Sequence, residues 1–252
     1  MADTNDNRSA GIDWLEAAYA ANLCRQIYAP NAAGPFCLYI GHQSTLAGLV
    51  RQEKALYVVF QGTNEAADWM VNLQFWKERA PYFGGGRVHR GFAAVARAFV
   101  NDIRQLYQPG QRLVLAGHSL GGALATLVAY ALADLQPVVY TYGQPRVGDR
   151  RLSADIDHKI RRYYRFVHTN DIVPCLPLLG YRHAGQLYYI DRKGVPSAVA
   201  HLHLRLFWDR ALALLQFYLQ EGWGLHSVAA HDITHYALAL TRHAIPYCPR
   251  LA

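Results

Sequence analysis

Between Arg112 and Thr126 the chain reads Arg-Leu-Val-Leu-Ala-Gly-His-Ser-Leu-Gly-Gly-Ala-Leu-Ala-Thr. An apolar, strand-like segment from Leu113 to Ala116 enters Gly117-His118-Ser119-Leu120-Gly121 and leaves as an Ala- and Leu-rich run that predicts a helix. A G-x-S-x-G held between strand and helix is a nucleophile elbow, a sharp turn that lifts the serine hydroxyl out of the chain. Gly117 and Gly121 flank Ser119 because a side chain at either would collide with the neighbouring strand or helix. Ser119 itself is expected in a strained conformation, at the C-terminal edge of the sheet and above a helix N-terminus. The blander reading is a Gly-rich turn with an idle serine. With 20 Gly and six Ser in 252 residues, composition alone yields roughly 0.04 chance matches, and the flanking pattern lowers that further. Ser119 is read as a nucleophile.

A chain of this length suits one large α/β domain over residues 1–252. Hydrophobic residues make up 52% and charged residues 17%, which excludes a disordered composition. The net charge of +7 is compatible with anionic lipid surfaces and equally with a solvated basic surface. The absence of a Lys/Arg-rich run interleaved with aromatics argues against a nucleic-acid partner. Cys24, Cys37, Cys175 and Cys248 lack C-x-x-C spacing, so disulfides and free thiols both stay open. Met1 to Gly11 is polar, without the apolar core of a signal segment, as in a cytosolic chain or one whose leader has been removed. No apolar run reaches bilayer-spanning length.

Apolar residues near helical spacing, Ile12, Leu15, Tyr19, Leu23 and Ile27, predict a helix over Ile12–Tyr28 that ends at Pro30 and Gly34-Pro35. Strands are expected at Phe36–His42 and Ala55–Gly62, the second a buried, nearly continuous apolar run. A helix over Arg90–Tyr107 stops at Pro109-Gly110. After the elbow come a strand at Pro137–Gly143, a helix at Leu152–Ile160, a strand at Arg162–His168 and an edge strand at Gln186–Ile190. Further helices are expected at Ala211–Leu219 and His231–Leu240. Alternating strands and helices predict a mostly parallel sheet covered on both faces.

A serine hydroxyl needs a histidine to take its proton and a carboxylate to orient that histidine. Elbow enzymes place them after the serine, acid before histidine. Among the later carboxylates Asp171 stands out, in His168-Thr-Asn-Asp-Ile-Val-Pro174 just past a strand; its alternative is a turn aspartate bonding its own backbone. Asp149, after Gly-Gln-Pro-Arg-Val-Gly148, reads as a helix-capping acid. His226, His231 and His235 are candidate bases, and the residues alone do not separate them. His231 and His235, four apart, would share a helix face. His231-Asp-Ile-Thr-His235 also mimics the zinc motif H-E-x-x-H, with Asp where its general-base Glu belongs. An oxyanion hole needs two backbone donors. Leu120 supplies one; the strand end Tyr57–Thr63 supplies the other if Thr63 presents its N–H, an ordinary polar turn being the alternative.

Together these segments resemble the class 3, fungal-type triacylglycerol lipase family, from about Tyr57 to Leu240. Phe60-Gln-Gly-Thr63 is similar to the family's F-R-G-T oxyanion segment, with Gln61 in place of Arg. Asp68-Trp-Met-Val-Asn72 resembles D-W-x-x-N, Val88-His-Arg-Gly-Phe92 resembles V-H-x-G-F, and Gly117–Gly122 resembles G-H-S-L-G-G. Tyr142–Asp149 and Asn170-Asp-Ile-Val-Pro174 match the segment after the elbow helix and the catalytic-acid loop. His231 to Tyr236 fits the bacterial and plant pattern, a tyrosine five residues after the catalytic histidine.

The resemblance implies an α/β-hydrolase fold with a short helical lid and a serine lipase or carboxylesterase acting on acylglycerols or related lipid esters. It selects His231 as the base, with Ser119, Asp171, Thr63 and Leu120 in the roles above. It places the lid at about 65–76, where Trp69, Met70, Leu73 and Phe75 would line the acyl site or face a lipid–water interface; a fixed surface helix is the plainer alternative. Residues 201–224 depart from the family pattern as an extra segment rich in Leu, Phe and Trp. The chemistry requires no metal or cofactor. Other outcomes on the same framework are phospholipase A1, galactolipase or feruloyl esterase activity, or a non-catalytic lipid-binding relative; a zinc hydrolase around His231 and His235 is a third class. Family precedent favours a secreted enzyme. Oligomeric state is not readable.

Overall fold

The structure is a computed structural model that describes residues 11–29, 34–52, 54–63, 77–79, 86–169, 171–177, 180–198 and 231–248. Its centre is an eight-stranded sheet: β1 (Leu38–His42), β2 (Thr45–Gln52), β3 (Ala55–Phe60), β6 (Arg112–His118), β7 (Val138–Tyr142), β8 (Arg162–His168), β9 (Gln186–Ile190) and β10 (Pro196–Ala198), in that spatial order. The pairings β3–β6, β6–β7, β7–β8 and β8–β9 are parallel. Antiparallel hairpins close both flanks, β1–β2–β3 on one side and β9–β10 on the other. A small antiparallel ribbon joins β4 (Lys77–Arg79) to β5 (Arg87–His89).

Alternation along each strand sends side chains into two separate cores. From β3, Leu56, Val58 and Phe60 pack with α2 (Arg90–Leu106) and α3 (Leu120–Ala131) on one face. Tyr57 and Val59 point the other way, into a core made with α1 (Trp14–Gln26) and α5 (Ile233–Ala244), which pack against each other. A further helix among the described residues, α4 (Arg150–Lys159), contributes Leu152 and Ile156 to the first core. Its N-cap is Asp149, whose Oδ1 accepts from Leu152 N–H at 2.9 Å while Oδ2 accepts from Arg87 N–H at 3.0 Å.

Two expectations need correction, and one strand lies where none was expected. Gln186–Ile190 is not an edge strand, because the short β10 pairs along its outer side. Residues 45–52, unassigned from the sequence, form β2, whose hairpin with β1 turns at Gln43 with φ 53°. The last helix starts at Ile233 rather than His231, because the Asp232 carboxylate accepts from Thr234 N–H at 2.8 Å and caps it. His231 therefore precedes the helix and shares no helical face with His235. The helix expected at 211–219 lies outside the described residues.

Candidate active site

Ser119 stands between β6 and α3 with φ 56° and ψ −128°, a sparsely populated region for a residue with a Cβ. Its N–H donates to Tyr142 O at 3.0 Å and its carbonyl accepts from Gly122 N–H at 3.0 Å, so the turn is held to the neighbouring strand and to the helix it starts. Built in place, a Cβ on Gly117 would strike the Gly121 carbonyl, and one on Gly121 would strike the Phe60 carbonyl. Both glycines are thus required by close backbone approach. Leu120 is the first residue of α3, where N–H groups have no intrahelical acceptor.

Asp171 follows β8 and His231 precedes α5, and the two meet in the interior. His231 Nδ1 lies 2.8 Å from Asp171 Oδ2, with Asp171 4% and His231 2% exposed. Tyr236, on the first turn of α5, donates its hydroxyl to the same Oδ2 at 2.5 Å and accepts from His168 N–H at 3.1 Å. Asp171 Oδ1 accepts from Val173 N–H at 2.9 Å. The turn-aspartate reading is therefore true as well: one oxygen fixes the loop and the other meets His231. A Cβ on Gly143, which has φ 58°, would stand within 2.6 Å of Asp171 Oδ2 and 3.0 Å of His231 Nδ1. Glycine there leaves the pair its room.

Ser119 Oγ and His231 Nε2 are both fully buried, and neither has a hydrogen-bond partner among the described residues. They do not bond to each other. The two sides of the site are nonetheless joined through His118, whose ring lies 4.4 Å from the His231 ring, centroid to centroid. His118 Nε2 is 2.6 Å from the His231 carbonyl and Nδ1 is 2.9 Å from the Tyr28 hydroxyl. A carbonyl only accepts, so Nε2 carries the proton and Nδ1 accepts from Tyr28. Burial, and then the neighbouring His231, hold His118 well below the usual histidine range. The Tyr28 hydroxyl also bonds the backbone of Gly62, and a Cβ on Gly62 would lie 2.7 Å from His118 O and 3.2 Å from Ser119 Cβ. The Gly62–Thr63 strand end therefore lies against the elbow.

The site thus brings together Ser119, Leu120, Asp171, His231 and the strand end carrying Thr63. Trp69, Met70, Leu73 and Phe75, the lid at 65–76, the 201–224 segment and His226 lie outside the described residues. His235 is exposed, its ring 6.0 Å from that of His168. Among the described residues no group of three His, Cys, Asp or Glu is placed to hold a metal, and the four cysteines form no disulfide. The sequence reading missed Tyr28 and His118 as supports. His118 lies within the elbow motif, but Tyr28 is only the expected end of a helix, and nothing local marks its long-range contact.

A parallel-centred sheet with helices on both faces and a serine turn after its central strand is the α/β-hydrolase fold. The chain superposes on the native Rhizomucor miehei lipase in complex with its propeptide with a TM-score of 0.64 and 28% identity, covering 73% of this chain and 70% of that one. The family model for class 3 lipases matches residues 57–181. The secreted mono- and diacylglycerol lipase A of Penicillium cyclopium is 31% identical over 205 residues, 72% of this chain and 67% of that protein. The chain belongs to the class 3 lipase family, as the motifs implied. The Rhizomucor miehei lipase is 35% identical over 153 residues, 55% of this chain and 42% of that protein. The match to the Fusarium solani secreted mono- and diacylglycerol lipase 1 covers 44% of its length, so the chain aligns with less than half of either relative.

Proposed function

We propose that this protein is a serine hydrolase of lipid esters, with acylglycerols as the first substrate class. The observation that carries the reading is the buried His231–Asp171 pair beside a left-handed serine turn whose Oγ is not engaged. With Nδ1–H donating to Asp171, a neutral His231 presents Nε2 as an acceptor. Ser119 Oγ attacks the ester carbonyl carbon and its proton passes to Nε2. The oxyanion is received by the N–H groups of Leu120 and Thr63. Collapse breaks the ester C–O bond, and His231 returns the proton to the departing alcohol. Water, activated by the same nitrogen, then releases the acid from the acyl-enzyme. In this reading the role of lid falls to the segment at 65–76, and Trp69, Met70, Leu73 and Phe75 are its candidates for acyl-chain binding. The assignment to acylglycerols leans on the relatives, whose names include mono- and diacylglycerol lipases.

The test compares wild type with Ser119→Ala on p-nitrophenyl esters from acetate to palmitate, alongside triolein, phosphatidylcholine and methyl ferulate. The expected result is turnover of long-chain esters and of triolein, reduced about 10⁶-fold in Ser119→Ala. Undiminished turnover in Ser119→Ala overturns the mechanism. Activity confined to acetate, or to ferulate, overturns the substrate class.

A further inference from the structure

Beside the triad acid, and separate from Ser119, a cleft of about 460 Å³ opens between α5 and the β9–β10 turn. The turn contributes Arg192 and Lys193, and α5 contributes Arg242. All three are exposed, and none forms an ion pair among the described residues. The nearby acid of the turn, Asp191, forms no ion pair with them; its Oδ1 accepts from Lys193 N–H and Val195 N–H, each at 2.9 Å, and its charge also acts on His168. Arg242 alone would be explained by the last turn of α5, where a cation complements the helix dipole. That account does not extend to Arg192 and Lys193, which belong to a different element and converge on the same cleft.

The floor holds His168, whose Nδ1 is buried without a hydrogen-bond partner. The rim is apolar: Val195 is 49%, Leu238 48% and Tyr247 55% exposed, three of the few large hydrophobic side chains left open to water among the described residues. Cations within, and exposed aliphatic and aromatic groups around them, match a ligand with an anionic head and an apolar continuation. The volume lies in the usual range for small-molecule sites, about 300–1,000 Å³. Position agrees. β9 runs parallel to β8 with Ile190 opposite His168, so the following turn lies at the same sheet edge as Ser119 and Asp171.

We propose that this cleft docks the phosphate of an anionic phospholipid headgroup while the apolar rim enters the lipid surface, so that the enzyme sits on charged membranes with its ester site toward them. Docking is independent of ester cleavage and is measured in Ser119→Ala as well as in wild type.

The experiment is co-sedimentation with phosphatidylcholine vesicles made with and without phosphatidylglycerol. Wild type and Ser119→Ala are expected to bind the anionic vesicles more tightly than the neutral ones. Replacing Arg192, Lys193 and Arg242 together by Gln should weaken that binding roughly 100-fold. Turnover of soluble p-nitrophenyl acetate by the triple variant should stay at the wild-type level, which reports an intact fold. Leu238→Ser should weaken binding to anionic vesicles by a smaller factor, and inorganic phosphate at matched ionic strength should not release them. Undiminished vesicle binding by the triple variant overturns the proposal. So does full release by inorganic phosphate together with an inert Leu238→Ser, which would make this a site for the free ion.

Discussion

His118 sets the behaviour of the site at the scale of single residues, because it is buried with both ring nitrogens committed. Its folded-state pKa is depressed by burial and by His231, whereas in the unfolded chain it titrates near 6.5. Above that value both states are neutral and stability does not depend on this group. As pH falls below about 6.5 the unfolded chain gains a proton the folded chain refuses, and stability drops by up to about 1.4 kcal/mol per pH unit. His168 and His243 are shifted the same way, so their contributions add. Urea unfolding of His118→Gln between pH 5 and pH 7, as about the relevant window, should show a shallower acid slope than wild type; equal slopes would contradict the burial account. Tyr236 is the second such residue. Removing its hydroxyl in Tyr236→Phe deletes one of three bonds to Asp171 and the acceptor for His168 N–H. Hydrogen bonds to charged groups contribute about 1.5–3 kcal/mol, so kcat on a soluble ester should fall about tenfold or more with KM little changed. A kcat within twofold of wild type, as about the limit of meaning for one bond, would show that His231 is oriented without Tyr236.

Elements make the elbow rigid and fasten α1 beneath the sheet. Gly117→Ala and Gly121→Ala each place a methyl against backbone that cannot yield. A loss of about 1–3 kcal/mol or more in stability is expected, read as a lower melting temperature together with lost activity. On α1, Glu16 is buried and accepts from Tyr57 and Tyr140 hydroxyls at 2.9 Å each, and from Arg112 at 2.7 Å. Tyr57 and Tyr140 are pushed up by burial and then by the Glu16 charge. Arg112 keeps about half of its side chain in water, which screens part of the pair. Glu16→Gln should therefore cost about 2–3 kcal/mol, below the full penalty for breaking a wholly buried pair, checked by denaturant unfolding. Glu16 also shows where sequence reading stops. Helical spacing located α1 within two residues at each end, and the expected Leu23 and Ile27 are buried with Ala17, Ala20, Ala21 and Cys24, while Leu15, counted as apolar face, is exposed. The strands β3, β6 and β7 were legible because they are nearly continuous apolar runs ended by glycine or loop residues, whereas β8 carries Arg165 within its aromatic and apolar residues. β2 was not legible: Thr45–Gln52 carries Gly48 and a charged end, and its pairing depends on β1 and β3 rather than on its own pattern. His231 was ambiguous by spacing alone, since what singles it out is a contact with Asp171 sixty residues earlier in the chain.

At the scale of the molecule, one sheet separates two cores and delivers its chemistry to a single edge. Ser119 follows β6 and Asp171 follows β8, neighbours but one in the sheet, while His231 arrives ahead of α5 from the far end of the chain. No short fragment holds the three together, so the site exists only when both cores are formed. The central claim is that this assembly makes Ser119 a nucleophile. It is tested most directly by treating the folded protein with a long-chain p-nitrophenyl alkylphosphonate and locating the adduct by peptide mass spectrometry. The account predicts stoichiometric labelling of Ser119, release of one nitrophenolate per chain, and labelling slowed by orders of magnitude in His231→Ala. Turnover that persists with Ser119 unlabelled, or labelling as fast in His231→Ala as in wild type, would contradict it.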